Sequence, residues 1–180
     1  MIPLFSKLRD LQRLIREEGL GGSLLALPSS KLLLLPDGKS TDVKEELLFG
    51  QIVTEQEIVD VSRDLFESGF YNQAVVEAFK ALDLFIKKKA KLPKLSGTPL
   101  MNQAFSPSNP ALAWSDRLST SEEDEHKGYH FLFSGSFTGI RNPCSHEINW
   151  ISDHSTALDA ILVAQHLLRK AKAAAIVTTT

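Results

Sequence analysis

Ala74, Val75, Ala78, Phe79, Leu82, Phe85 and Ile86 recur at steps of three and four between Tyr71 and Lys89. That period lays them along one stripe of a single long helix, with charge on the other face. Such a helix cannot bury its stripe alone, and the flanking sequence supplies partners. Thr54-Glu55-Gln56-Glu57 reads as a capping box, the threonine oxygen capping the first turn and Glu57 reaching back. Ile58, Val61, Leu65 and Phe66 follow as the buried positions of that helix, and Gly69 stops it. The short break at Gly69 implies an antiparallel pair of helices.

Pro93 and Gly97 mark a loop over residues 92–98, and Pro99 to Phe105 reads as a short helix with proline in its first turn. Ser106 to Arg117 holds Pro107, Asn109 and Pro110, an irregular connection whose Leu112 and Trp114 should pack on the helices. Ser119-Thr120-Ser121, followed by Glu122, Glu123 and Asp124, signals another helix start. Tyr129, His130, Phe133, Phe137 and Ile140 form its inward face, and it should end at Asn142-Pro143, because proline restricts the residue before it. Asp153-His154-Ser155 opens a last helix with Leu158, Ile161, Leu162, Gln165 and Leu168 inward, and the tail from Ala173 to Thr180 is expected to fray. With several amphipathic helices and no convincing alternating strand, the expected fold is all-α, an antiparallel up-and-down helical bundle with a variable N-terminal segment. The expected division is an appendage over residues 1–53, a bundle over 54–174 and a tail over 175–180.

The appendage is harder to read. Ser6 to Glu18 carries Leu8, Leu11, Leu14 and Ile15 at helical spacing, and Gly19 can end that helix. Gly21-Gly22 and Pro28 then break the chain, and Lys31 to Gly38 reads equally as a short buried strand with a turn or as one helical turn in a packed loop. A net charge of −2 gives no global basic footprint for duplex DNA. The one dense basic run, Lys87-Lys88-Lys89 with Lys91 and Lys94, reads as a helix end complementing the dipole before it reads as a nucleic-acid contact. The single cysteine, Cys144, excludes an internal disulfide and a Cys-based zinc cluster. Apolar runs fall short of the roughly 20 residues of a membrane span. Met1 to Phe5 lacks the features of a secretory signal, so the expected location is the cytoplasm, with no membrane association.

The segment that carries chemistry is Arg141-Asn142-Pro143-Cys144-Ser145-His146. Arginine is a permanent cation whose donor fork suits phosphate, and histidine is the side chain best placed to move protons near neutral pH. Each residue also has a bland use: Arg141 offsetting a helix C-terminus, Asn142 stopping the helix, His146 capping backbone carbonyls. Together they form a minimal kit for cutting RNA without metal. RNA carries its own nucleophile, the 2′-hydroxyl. His146 can act as base or acid, Arg141 can hold phosphoryl oxygens, and Asn142 can orient the histidine or donate to phosphate. One histidine performs one proton transfer at a time, which a symmetric dimer with two motifs in one cleft would remedy.

Other candidates weigh less. His126 and His130, four apart, share a helix face with Glu122 a turn earlier, but the spacing matches no strong metal motif, and His130 reads as a buried histidine on the apolar stripe. His154 reads as part of a helix start and His166 as a helix-face residue. Cys144 reads as a spacer rather than a nucleophile. Gly21-Gly22 and Gly135-Ser136 lack the lysine and spacing of a phosphate loop. Phe131, Phe133 and Phe137 read as core and dimer packing rather than as a base-stacking platform. No cofactor and no metal are expected.

Four blocks carry a resemblance to a known family. They are Phe66 to Leu82, Leu100 to Ser106, Phe131 to Gly135, and Gly139-Ile140-Arg141-Asn142-Pro143-Cys144-Ser145-His146-Glu147. In this order they resemble the Ymh-type group of the HEPN superfamily over about residues 54–172, the last block containing its Arg-x4-6-His signature with a polar residue after arginine. The resemblance implies a HEPN-like helical bundle that homodimerises with its motifs facing, and a metal-independent endoribonuclease of toxin–antitoxin, phage-defence or abortive-infection systems. It further implies RNA as substrate and a cognate antitoxin or defence protein as a possible partner. Arg141, Asn142 and His146 inherit the catalytic assignment by motif, and Glu77 and Lys80, one turn apart, are candidate supports. Because some members of the superfamily are non-catalytic, the alternative is a nucleotide- or RNA-binding or protein-interaction module.

Overall fold

The computed structural model describes residues 49–177. It is an all-α helical bundle built from α1 (Gln56–Glu67), α2 (Tyr71–Lys89), α3 (Gly97–Ala104), α4 (Thr120–Ser136), α5 (Asn142–His146) and α6 (His154–Ala173). The expected helix over Ser6–Glu18, the Gly21-Gly22 and Pro28 breaks and the Lys31–Gly38 segment lie outside the described residues. No helix among the described residues is long and apolar enough to cross a membrane.

The α2 stripe is the centre of the core. Ala74, Val75, Ala78, Phe79, Leu82 and Ile86 are buried, with Phe85 half-buried beside them. α1 and α6 pack along α2, and burying each large apolar side chain contributes about 1.5–3 kcal/mol. Gly69, with φ +78°, makes the left-handed turn between α1 and α2 that a side chain would resist. Phe49 and Val53 also belong to this core, Phe49 lying 4.9 Å from the Phe66 ring.

Several expectations are corrected. No capping box forms at Thr54: Glu55 is the N-cap residue of α1 and makes no side-chain cap bond. The backbone N–H groups of Thr54 and Glu55 instead donate to Gln165 Oε1 of α6 at 2.7 and 3.0 Å, so a tertiary partner replaces the local cap. The capping box that does form is at α4, where Ser119 Oγ accepts from the Glu122 N–H and Glu122 Oε2 accepts from the Ser119 N–H. On α1 the buried face is Ile58, Ser62 and Phe66, while Val61 is exposed and Leu65 half-buried. On α4 the fully buried histidine is His126 rather than His130. On α6, Ala157, Ala160, Ala164 and Ala171 carry much of the buried face, and Leu158 and Leu162 are only half-buried.

The chain after α6 is held rather than frayed as far as Val177. Ala175–Ile176 pairs antiparallel with Leu112–Ala113, Leu112 opposite Ile176, and the Val177 N–H donates to the Ala111 carbonyl at 3.0 Å. The irregular connection thereby becomes one side of a two-residue ladder. It also delivers Leu112 into the core and Trp114 onto Phe105, ring to ring at 5.2 Å.

The lysine run is partly structural. Lys89 Nζ donates to the carbonyls of Ala171 and Lys172 at 3.0 and 2.7 Å, capping the C-terminal end of α6. Lys87 pairs with buried Asp83 at 3.4 Å, and Asp83 Oδ1 also receives the Gly97 N–H at the start of α3.

Candidate functional site around Arg141 and His146

The helix expected to stop before Pro143 continues through it. α4 passes into a π-helical turn over Phe137–Arg141 and then into α5, with Asn142 fully helical at φ −66°, ψ −47°. A helical proline lacks an N–H and crowds the carbonyl four residues back. The wide π turn immediately before it, closed by the Asn142 N–H donating to the Phe137 carbonyl, is where the helix accommodates that misfit. The motif is therefore carried on helix rather than on a post-helical turn.

This placement fixes how the side chains meet. Asn142 and His146, four apart, share one face of α5. Arg141 lies one residue before Asn142, and its Nη1 donates to Asn142 Oδ1 at 3.2 Å. Ser145 Oγ donates back to the Arg141 carbonyl at 2.9 Å. Arg141 is half-buried and has no carboxylate partner among the described residues, so most of its donor fork is unspent. His146 ends α5 with its side chain exposed, and its imidazole makes no hydrogen bond among the described residues. It does not cap carbonyls; the Pro143 carbonyl is taken by the Glu147 N–H at 2.9 Å.

A buried asparagine holds this end of the bundle together. Asn72, in the first turn of α2, donates through Nδ2 to the carbonyls of Cys144 at 2.7 Å and Glu147 at 3.1 Å, and its Oδ1 accepts from the Ile151 N–H at 3.3 Å. Three bonds from one side chain tie α5 and the following loop to the central helix. Cys144 is buried, and burial pushes its thiol above the usual range, which suits the spacer reading.

The candidate supports stand apart from the motif. Glu77 and Lys80 pair with each other at 2.5 Å on α2, and no bond joins either to Arg141, Asn142 or His146 among the described residues. The His126–His130–Glu122 trio is also dispersed. Glu122 is occupied in the α4 cap, His126 Nε2 bonds the Ser106 carbonyl at 3.2 Å, and no group of three or more potential ligands able to hold a metal occurs among the described residues. His166 pairs with the Tyr129 hydroxyl at 3.0 Å.

Three features escaped the sequence reading. Asn72 had a signal: it stands three and seven residues before Val75 and Phe79, a polar residue in register with a buried stripe. The π turn had none beyond the proline itself. The third is an apolar groove of about 560 Å³ between α4 and α6, lined by Phe131, Leu132, Ile140, Leu162, Val163 and Leu167 and adjoining Arg141 through Ile140. Phe133 and Phe137 are core as expected, whereas Phe131 stands 69% exposed on this face.

A family model described as "Protein of unknown function (Hypoth_ymh)" matches residues 53–171. No curated protein and no solved structure matches the chain.

Proposed function

The chain belongs to the Hypoth_ymh family, and for this member we propose a metal-independent endoribonuclease of HEPN type that works as a homodimer. The observation that carries the reading is that, among the described residues, half-buried Arg141 meets no carboxylate and the exposed His146 imidazole five residues on makes no hydrogen bond. A half-buried cation with spare donors suits a phosphate oxygen, and an exposed imidazole on the same short helical segment suits proton transfer.

In this reading Arg141 binds the non-bridging oxygens of the scissile phosphate, and Asn142, bonded to Arg141 and on the His146 face, orients the pair. An imidazole removes the 2′-hydroxyl proton as that oxygen attacks phosphorus. The P–O5′ bond breaks, the leaving oxygen takes a proton, and the products are a 2′,3′-cyclic phosphate and a 5′-hydroxyl. His146 of one protomer serves as base and the second copy's imidazole as acid. The groove between α4 and α6 supports a second copy: Leu132 is 54% exposed there, and the apolar face runs up to the motif. A toxin or phage-defence setting, restrained by a cognate antitoxin or defence protein, is part of the same proposal and follows from the resemblance.

The test is incubation of RNA with the protein in EDTA, comparing wild type with Arg141→Ala and His146→Ala, alongside solution mass. Cleavage that survives EDTA and is lost in both variants supports the reading, as does a dimer mass that Leu132→Asp halves along with activity. RNA that stays intact but binds in an Arg141-dependent way replaces the enzyme with a binding module.

A further inference from the structure

The loop between α5 and α6 spends buried hydrogen bonds to present apolar side chains to solvent. Ile148 is 83% exposed and Trp150 58% exposed. The Trp150 indole makes no ring contact or hydrogen bond among the described residues. A loop that exposes an indole for want of packing would be loose, yet this one is anchored on both sides. Asn72 takes the Glu147 carbonyl before it and the Ile151 N–H after it, and Ile151 is buried. The backbone that carries the indole is thus anchored on either side of it, four residues from His146.

The neighbours decide what such a surface receives. Arg141 offers unspent donors to an anion, and His146 offers an exposed imidazole. A ligand that combines a phosphodiester with a planar apolar face matches both features at once, and single-stranded nucleic acid is that ligand. A protein partner would have to bring a carboxylate to Arg141 together with an apolar face for Ile148 and Trp150, whereas every nucleotide carries both a phosphate and a planar base. We propose that Trp150 is a substrate-positioning residue that stacks on a nucleobase next to the phosphate held by Arg141, so that the enzyme selects unpaired RNA. The inference rests on the reading of the motif as an RNA site.

Stacking on an indole tolerates any base but requires the base to be splayed from a duplex. Trp150 is more than half exposed and makes no ring contact or hydrogen bond among the described residues, so replacing it should change the melting temperature little. The experiment measures binding and cleavage of a short single-stranded RNA, and of the same RNA annealed to its complement, by wild type, Trp150→Ala, Trp150→Tyr and Arg141→Ala. The expected result is that Trp150→Ala binds single strands about 5- to 100-fold more weakly, with the loss in KM rather than kcat, and that Trp150→Tyr recovers most of it. Quenching of tryptophan fluorescence by RNA should vanish in Trp150→Tyr while Trp114 still emits. If binding depends on Arg141 but Trp150→Ala binds and cleaves like wild type, the stacking role is overturned and the motif reading stands. If wild type neither binds nor cleaves RNA, both fall. A Trp150→Ala protein with normal RNA binding but an altered solution mass would assign the indole to a protein contact and overturn the proposal.

Discussion

The two ends of α6 use the same residue types in opposite ways. Near its last turn, Trp114 donates through Nε1 to the Lys170 carbonyl at 2.7 Å and lies under the Lys170 ammonium at 5.0 Å. Lys170 is also paired with Glu125 and lies 4.4 Å from the Tyr129 ring centroid. His126 is 2% exposed, with Nε2 on the Ser106 carbonyl. Before the first turn of α6, the tryptophan is Trp150, the cation Arg141 and the imidazole His146, and none of the three is so consumed among the described residues. A tryptophan, a cation and a histidine whose partners are all internal hold the fold together. The same trio left with spare donors and open faces is available to a ligand.

The sharpest way to break that contrast is to exchange the fates of the two histidines. His146→Ala should lower cleavage by about 10²- to 10⁴-fold with the melting temperature unchanged. His126→Ala should leave turnover per folded molecule near wild type while lowering stability, as read by chemical denaturation. An inactive but fully stable His126→Ala protein would collapse the distinction.

The tryptophans come next. Trp114→Ala removes a ring stacked on Phe105 and the bond to Lys170, a loss of about 3 kcal/mol in urea unfolding. Trp150→Ala should stay within about 0.5 kcal/mol of wild type.

Asn72 bridges the comparison, because it is a structural residue serving the open end. Asn72→Ala gives up three bonds and leaves buried backbone groups unpaired, about 2–3 kcal/mol of stability. It should also reduce cleavage at temperatures where the protein is fully folded, since α5 and the Trp150 loop lose their common anchor. Normal kinetics in a destabilised Asn72→Ala would detach the loop from function.

The smallest effect is in the pH dependence. Burial holds the His126 imidazole below its ordinary 6.5, with the Arg117 charge acting in the same direction and the bond to Ser106 opposing. The folded state therefore favours its neutral form, and its buried Nδ1 has no hydrogen-bond partner among the described residues. As pH falls below 6.5 the unfolded chain takes the proton first, so stability declines until the folded imidazole titrates; above 6.5 this group adds no slope. Denaturation midpoints measured from pH 7.5 downward should fall less steeply in His126→Gln than in wild type.

Much of this was legible in the sequence because it depends on period. The bounds of α2 and its stripe follow from the three-and-four spacing, and Asp153 caps α6 through the Thr156 N–H at 2.9 Å as its position suggested. What could not be read depends on distant partners. Gln165 overrides the apparent cap at Thr54, and Ala111 to Ala113 rescue a tail that looked free. The pre-proline rule disfavours a helical residue before proline without forbidding it, and Asn142 is helical here; the π turn upstream accommodates the missing N–H and the bulk of Pro143 itself. The motif residues were legible as residues. That Arg141 meets no acid and His146 makes no hydrogen bond among the described residues was not, since only tertiary structure decides whether an arginine meets an acid.

The most direct measurement identifies the ends of RNA fragments produced by the wild-type protein in EDTA. A cleavage driven by the 2′-hydroxyl, with Arg141 on the phosphate and His146 moving protons, yields 2′,3′-cyclic phosphate and 5′-hydroxyl ends, and none in Arg141→Ala or His146→Ala. Fragments bearing 5′-phosphate and 3′-hydroxyl ends, or cutting that persists in both variants, would contradict it.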